Sequence, residues 1–338
     1  MTHDAIITLG HGAGGQMTGD LLDNLILPIL HKNGKPQELE DAVRIDVPKG
    51  DLYFTTDSYV VDPFIFPGGN IGHLCVHGTV NDLAMSGAKP VAISLGFILE
   101  EGLLIDDLKT VLRSICDAAR EANVRIACGD TKVVPRGKGD KIFINTSGIG
   151  VTRKEVNIKS SGAKARDKIL INGTIGDHGV AVMSAREGLS FDSSIKSDTA
   201  ALNGIVELLL DANITIHAMR DPTRGGLATT MIEIAESSDV EIRLDERAIP
   251  VSREVNGACE ILGLDPMQIA NEGKMVAFVP PCDAERALSI MRSHPLGGDS
   301  AIIGEVHEGY AGRVTVTSFI GGARIMSKLP GELMPRIC

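Results

Sequence analysis

Short runs dominated by apolar and β-branched residues recur along the first half of this chain, among them "LYFTTD", "VAISLGFI", "VRIACGD" and "IFINTSGIGV". Such runs predict strands, and the shorter "VRIDV" reads the same way. Between them the apolar positions take a helical period. In "DDLKTVLRSICDAAREANV", Leu108, Val111, Leu112, Ile115 and Ala119 share one helical stripe with Cys116, and Asp106 and Asp107 stand where cap residues belong. A second series follows: "KILING", helices near 177 to 188 and 199 to 213, another helix after Gly226, then "KMVAFVP", "AIIGEV" and "GRVTVT". The sparse, polar "NIKSSGAKARDK" separates the two series. The pattern therefore predicts an α/β (α+β) protein with an N-terminal domain over 1–155, a C-terminal domain over 156–327 and a tail over 328–338.

A length of 338 residues agrees with two domains, and 43% hydrophobic with 23% charged residues is an ordinary globular composition. Net charge is -11, Trp is absent and aromatics make up 3%, so neither a basic footprint nor stacking platforms exist for nucleic acid. No apolar run reaches eighteen residues without charges or Gly and Pro punctuation, and "MTHDAIITLG" lacks a basic segment before an apolar one; a cytoplasmic protein without membrane contact is expected. Six cysteines are scattered without ligand-like spacing, which speaks against zinc and against disulfides. Most read as small core residues, and only Cys338, the last residue of "PGELMPRIC", sits where burial is not expected. Pro330, Gly331 and Pro335 resist helix and strand, and eleven residues could carry that thiol roughly 35 to 40 Å.

Several short motifs place acids beside Gly, Thr or Ser: "LEDAV" with Asp41, "TTDSYVVDP" with Asp57, "VNDLAMSGA" with Asp82, "CGDTKVV" with Asp130 and "DPTRGGLA" with Asp221. Each alone is an ordinary cap or turn residue. Together they suit a site for Mg²⁺ on a polyphosphate, because a hard cation takes oxygen ligands and keeps water and phosphate in its shell. In "DPTRGGLATTMIEIAES", Gly225 and Gly226 open an apolar-striped helix and leave N–H groups for an anion. "GHGAGG", with Gly12, Gly14 and Gly15, reads as a phosphate-wrapping loop, a dinucleotide turn or a plain turn; a standard P-loop is absent. Lys132 after "VRIACG" and Glu272 in "ANEGK" are placed for chemistry or are solvated charges. The histidines, His77 and His178 among them, have no metal-ligand spacing and read as structural.

"HGAGG", "TTDSYVVDPFIFPGGNIG", "VNDLAMSGAKP", "GDTKVV", "GDHG", "DPTRGG", "NEGK" and the terminal "PRIC" together resemble the HypE family, the carbamoyl dehydratases of [NiFe]-hydrogenase maturation. "EDAV", "TTDS" and "NDLAMSG" are similar to the wider ATP-binding superfamily of aminoimidazole ribonucleotide (AIR) synthetase and selenophosphate synthetase. The resemblance implies an AIR-synthetase-like fold of two α/β domains, a homodimer meeting through its N-terminal sheets, and a flexible tail. It implies ATP and Mg²⁺ as cofactors, with Asp41, Asp57, Asp82 and Asp221 as metal-binding acids. Gly12, Gly14, Gly15, Asp57, Asp82, Asp130, Gly225 and Gly226 would then contact the nucleotide. It further implies that Cys338 receives a carbamoyl group from the carbamoyltransferase HypF. Dehydration with ATP converts that group to a thiocyanate, whose cyanide passes to iron on a HypC–HypD complex. Glu272 would act as base, with Lys132 polarising the amide oxygen, or the two roles exchanged. Two other readings remain: a superfamily enzyme that phosphorylates a free small molecule, and a non-enzymatic carrier using the tail thiol.

Overall fold

The computed structural model describes residues 5–30, 42–188, 195–328, 331 and 336–338. Asp41 lies outside them. A short 3-10 turn, Leu9–Gly12, leads into a helix made of α1 (Gln16–Leu21), a π-turn at Leu22–Ile26, and α2 (Leu27–Leu30). Then come β1 (Asp51–Tyr59), the small pair β2 (Ile65–Phe66) and β3 (Gly69–Asn70), α3 (Ile71–Met85), β4 (Lys89–Glu100), α4 (Ile105–Glu121), β5 (Arg125–Val134) and β6 (Ile142–Thr152). Four of these strands form a sheet in the order β1-β6-β4-β5, with only the β4/β5 pair parallel. Residues 42–50, which hold the predicted strand "VRIDV", form no strand. Its five residues carry two charges and pair with no strand among the described residues.

The second series is β7 (Lys168–Ile171), α5 (Asp177–Glu187), α6 (Asn203–Asp211), β8 (Ala218–Arg220), α7 (Gly226–Ser238), β9 (Glu241–Asp245), α8 (Arg253–Leu262), β10 (Val276–Val279), α9 (Pro281–Ser293), β11 (Ala301–His307), β12 (Val314–Thr317) and β13 (Ala323–Ile325). Its seven strands order β13-β12-β9-β11-β7-β10-β8, and only β12/β9 is parallel. Helix α9 and strands β8, β9 and β13 were not in the sequence pattern.

Helix α3 joins the two halves. Thirteen of its fifteen residues are buried, so it has no polar face to mark it as a surface helix. Leu74, Cys75, Val76 and Val80 pack in the core of the first sheet with α4, whereas Ala84 and Met85 pack among Leu202, Ile205 and Met219 of the second half. Helix α4 follows its predicted stripe, but Leu104 occupies the cap position. Asp106 and Asp107 fall inside the first turn, where they act on the helix dipole, and Asp106 pairs with Lys109 at 2.6 Å.

All six cysteines lie among the described residues, and no disulfide joins any two of them. Only Cys75 and Cys259 are buried, so most of them are not core residues. Cys128 and Cys282 are exposed, and Cys116 and Cys338 are half-buried.

Candidate functional site

Strand β1 ends at the site. Its alternation sends Thr55, Asp57 and Tyr59 toward α3, while Thr56 and Ser58 face outward and bond Ser147 and Asn145 of β6. The Tyr59 hydroxyl donates to Asp57 Oδ2 at 3.2 Å, and the Thr55 hydroxyl donates to Asp82 Oδ2, from α3, at 2.8 Å. Asp221 follows directly on β8, and Glu272 precedes β10. These four acids and Cys338 line one cleft of about 650 Å³, which also carries the cations Lys159, Arg220 and Arg224.

The acids perturb one another. Burial raises the Asp82 carboxyl, and Asp57 adds to the rise, against the Thr55 hydrogen bond and the two arginines. Burial, then Asp82 and Asp57, push Asp221 up to about 7. Burial also holds Glu272 well above the carboxylate range, helped by Asp221, Asp198, Asp57 and Asp82. Tyr59 is raised by burial and by Asp57. Like charges crowded away from water are unfavourable unless protons or a cation neutralise them.

Glu272 is held through its backbone. Its N–H donates to Asp198 at 3.0 Å, and Asn81 of α3 donates to its carbonyl at 3.3 Å. Asp198 in turn stands 3.3 Å from the Lys274 ammonium, and both side chains are largely buried. Sequence reasoning missed Asn81 and Asp198. The Asn beside Asp82 in "VNDLAMSGA" was the available signal.

The end of the chain is seated at this cleft. Val60 N–H donates to the Cys338 carboxylate at 3.1 Å, and Asp62 N–H donates to the Arg336 carbonyl at 3.2 Å, a short antiparallel pairing continuing from β1. Ile337 is buried in the core of the first sheet. Arg336, whose φ is +56°, points away to pair with Asp140 at 2.6 Å and Asp62 at 3.8 Å.

Other predicted site residues stand elsewhere. Asp130 and Lys132 lie on the edge strand β5, paired with each other at 2.7 Å, their side chains about two-thirds exposed. Neither lines the cleft. The same strand passes beneath the glycine loop, where a Cβ on Gly12 would come within 2.8 Å of Val133, while Gly14 and Gly15 face open space. Gly225 and Gly226 open α7 beside the cleft residues Thr223 and Arg224. Gly226 has φ +61°, and a Cβ there would meet the carbonyl oxygens of Ile269 and Met267 at 2.5 and 2.7 Å. Its place is thus explained by close packing as well as by any anion.

Two family models match: the AIR synthase related protein N-terminal domain over residues 39–152 and the C-terminal domain over 164–317. A carbamoyl dehydratase HypE from Rhizobium leguminosarum bv. viciae is 50% identical, covering 98% of this chain and 95% of that protein. The crystal structure of a HypE in complex with ATP superposes with a TM-score of 0.92 at 47% identity, over 98% of this chain and 99% of that one. One from a HypE–HypF complex gives 0.80 at 50% identity, over 82% and 90%. This chain belongs to the HypE family, built from paired AIR synthase related domains.

Proposed function

We propose that this protein is an ATP-dependent carbamoyl dehydratase acting on a carbamoyl group carried by its own Cys338. One observation carries the reading: Cys338 lines one cleft with Asp57, Asp82, Asp221 and Glu272, and the tail backbone is held there by hydrogen bonds from Val60 and Asp62. A relative solved with ATP supports the nucleotide, and one solved with HypF supports that partner. The HypC–HypD complex as cyanide acceptor rests on the family resemblance. Among the described residues no helix is long and apolar enough to cross a membrane.

A thiocarbamate oxygen is a poor leaving group, and its phosphorylation by ATP makes departure as phosphate feasible. Loss of phosphate and of the remaining N–H proton leaves the nitrile of a thiocyanate, with ADP and phosphate as the other products. Glu272, buried in the cleft that Cys338 also lines, accepts that proton as its carboxylate. Lys159, Arg220 and Arg224 oppose the charge of transferring phosphate. Among the described residues, no three His, Cys, Asp or Glu side chains already form a metal cage. A cation that takes most of its ligands from phosphate and water fits such an acid cluster. Mg²⁺ would be held by Asp57, Asp82 and Asp221, with Asp41 implied by resemblance, and supplies neutralisation of phosphate charge.

Lys132 stands outside its own cleft, so a role in polarising the amide oxygen, like nucleotide contacts from Gly12, Gly14, Gly15 and Asp130, belongs to a second subunit. A homodimer through the first sheet is supported by its outer face, where Leu52 and Phe54 of β1 are 61% and 68% exposed and Ile98 of β4 is 42% exposed. The test is intact-protein mass spectrometry with ATP, carbamoyl phosphate and a HypF-type carbamoyltransferase. The expected result is a carbamoyl adduct on Cys338 that loses one water only when ATP is present. Cyanide delivery by a protein lacking Cys338 would overturn the reading.

A further inference from the structure

Helix α5 turns residues 178, 182 and 186, each one turn apart, toward the end of the chain. Val182 packs in the same core cluster as Ile337. On one side of it, His178 is completely buried, with Nε2 2.8 Å from the Ile337 carbonyl oxygen and Nδ1 2.8 Å from the Ser197 hydroxyl. A carbonyl only accepts, so Nε2 carries the proton and Ser197 donates to Nδ1. Burial lowers the His178 pKa, in keeping with a neutral ring in that tautomer. On the other side, the Arg186 guanidinium donates to the Arg336 carbonyl and to the Asp62 carbonyl, both at 2.7 Å.

We infer that His178 is a positioning residue for the tail: with Arg186 it grips the two consecutive carbonyls before Cys338 and sets the register in which the thiol enters the cleft. The inference rests on the carrier role of Cys338 proposed above. Its chemical logic is that only main-chain atoms are gripped at these two points. The hold is therefore the same whether sulfur carries a proton, a carbamoyl group or a cyano group, as a carrier passing through all three states requires. The dock also draws on both halves of the molecule, because Val60 and Asp62 lie in the first and α5 in the second. Seating the tail is thereby sensitive to how the halves are packed.

Asn and Gln substitutions separate the two ring contacts, since the Asn amide reaches about as far as Nδ1 and the Gln amide about as far as Nε2. Two readouts apply to the full chain. One is the alkylation rate of Cys338 relative to exposed Cys282, by peptide mass spectrometry. The other is single-turnover dehydration of the carbamoylated tail at saturating ATP. His178→Asn should speed Cys338 alkylation and slow dehydration, each about five- to tenfold for one hydrogen bond, with ATP affinity unchanged; His178→Gln should restore most of both. Arg186→Gln, at the half-buried end of α5, should change both readouts in the same direction and serves if the histidine variants do not fold. Unchanged Cys338 alkylation in folded Arg186→Gln and His178→Asn proteins would overturn the inference. A wild-type chain that takes no carbamoyl group would instead remove the carrier role, while the alkylation rates would still report on the dock.

Discussion

Asn81 sits where α3 meets the segment that carries Glu272, and Asn81→Ala measures that coupling. The side chain is 1% exposed and fully engaged: Oδ1 accepts from Leu202 N–H at 2.8 Å, and Nδ2 donates to the carbonyls of Ala200 at 3.0 Å and Glu272 at 3.3 Å. Alanine leaves the N–H of fully buried Leu202 without this acceptor, at a cost of about 1–3 kcal/mol. Two buried carbonyls lose a donor and a small void opens, so the total loss should be about 2–5 kcal/mol. Urea unfolding followed by far-UV circular dichroism measures it. Single-turnover dehydration should fall as well, because Glu272 loses one of the two bonds that hold its backbone. Asn81→Asp should be worse than alanine where the new carboxylate is ionised, since it would face two carbonyls with an acceptor. A change below about 0.5 kcal/mol in Asn81→Ala would refute the reasoning and leave α3 as a packing element only.

Glu272→Gln should leave the fold and ATP binding intact while slowing conversion of the carbamoyl adduct by at least about a hundredfold, read by mass spectrometry over time. In the nucleotide-free protein, Asp221 has a raised pKa, so between about pH 4 and 7 the folded state holds a proton that the unfolded state has released. Its contribution to stability is therefore fullest at low pH and is lost as pH rises through about 7. Asp221→Asn should accordingly raise the melting temperature near pH 8 with little gain near pH 4, measured by calorimetry, and an equal gain at both would count against it. Gly226→Ala should cost at least about 2 kcal/mol, because φ is +61° and the new Cβ would strike two carbonyl oxygens, and urea titration reads that loss.

Helix α4 was legible in the chain because it has one buried and one wetter face that a helical period records, and the strands of the first sheet because they are short runs rich in apolar and β-branched residues. Helix α3 lacks the contrast, being buried all round between the two halves, and its motif was readable only as a source of Asp82. The acids near the cleft were visible as short motifs. Their mutual distances were not, since Asp57, Asp82, Asp221 and Glu272 come from four places up to 215 residues apart along the chain.

By itself, the sequence determined the two-part α/β pattern, the acidic character of the site, the tail with its terminal thiol and the family resemblance, because periodicity, composition and motifs are local properties. Only the tertiary structure decided that Cys338 is gripped through main-chain atoms by His178 and Arg186, and that Lys132 and the glycine loop lie on the far edge of the sheet. Sheet order and side-chain reach, which no linear spacing encodes, bring the first set together and hold the second apart.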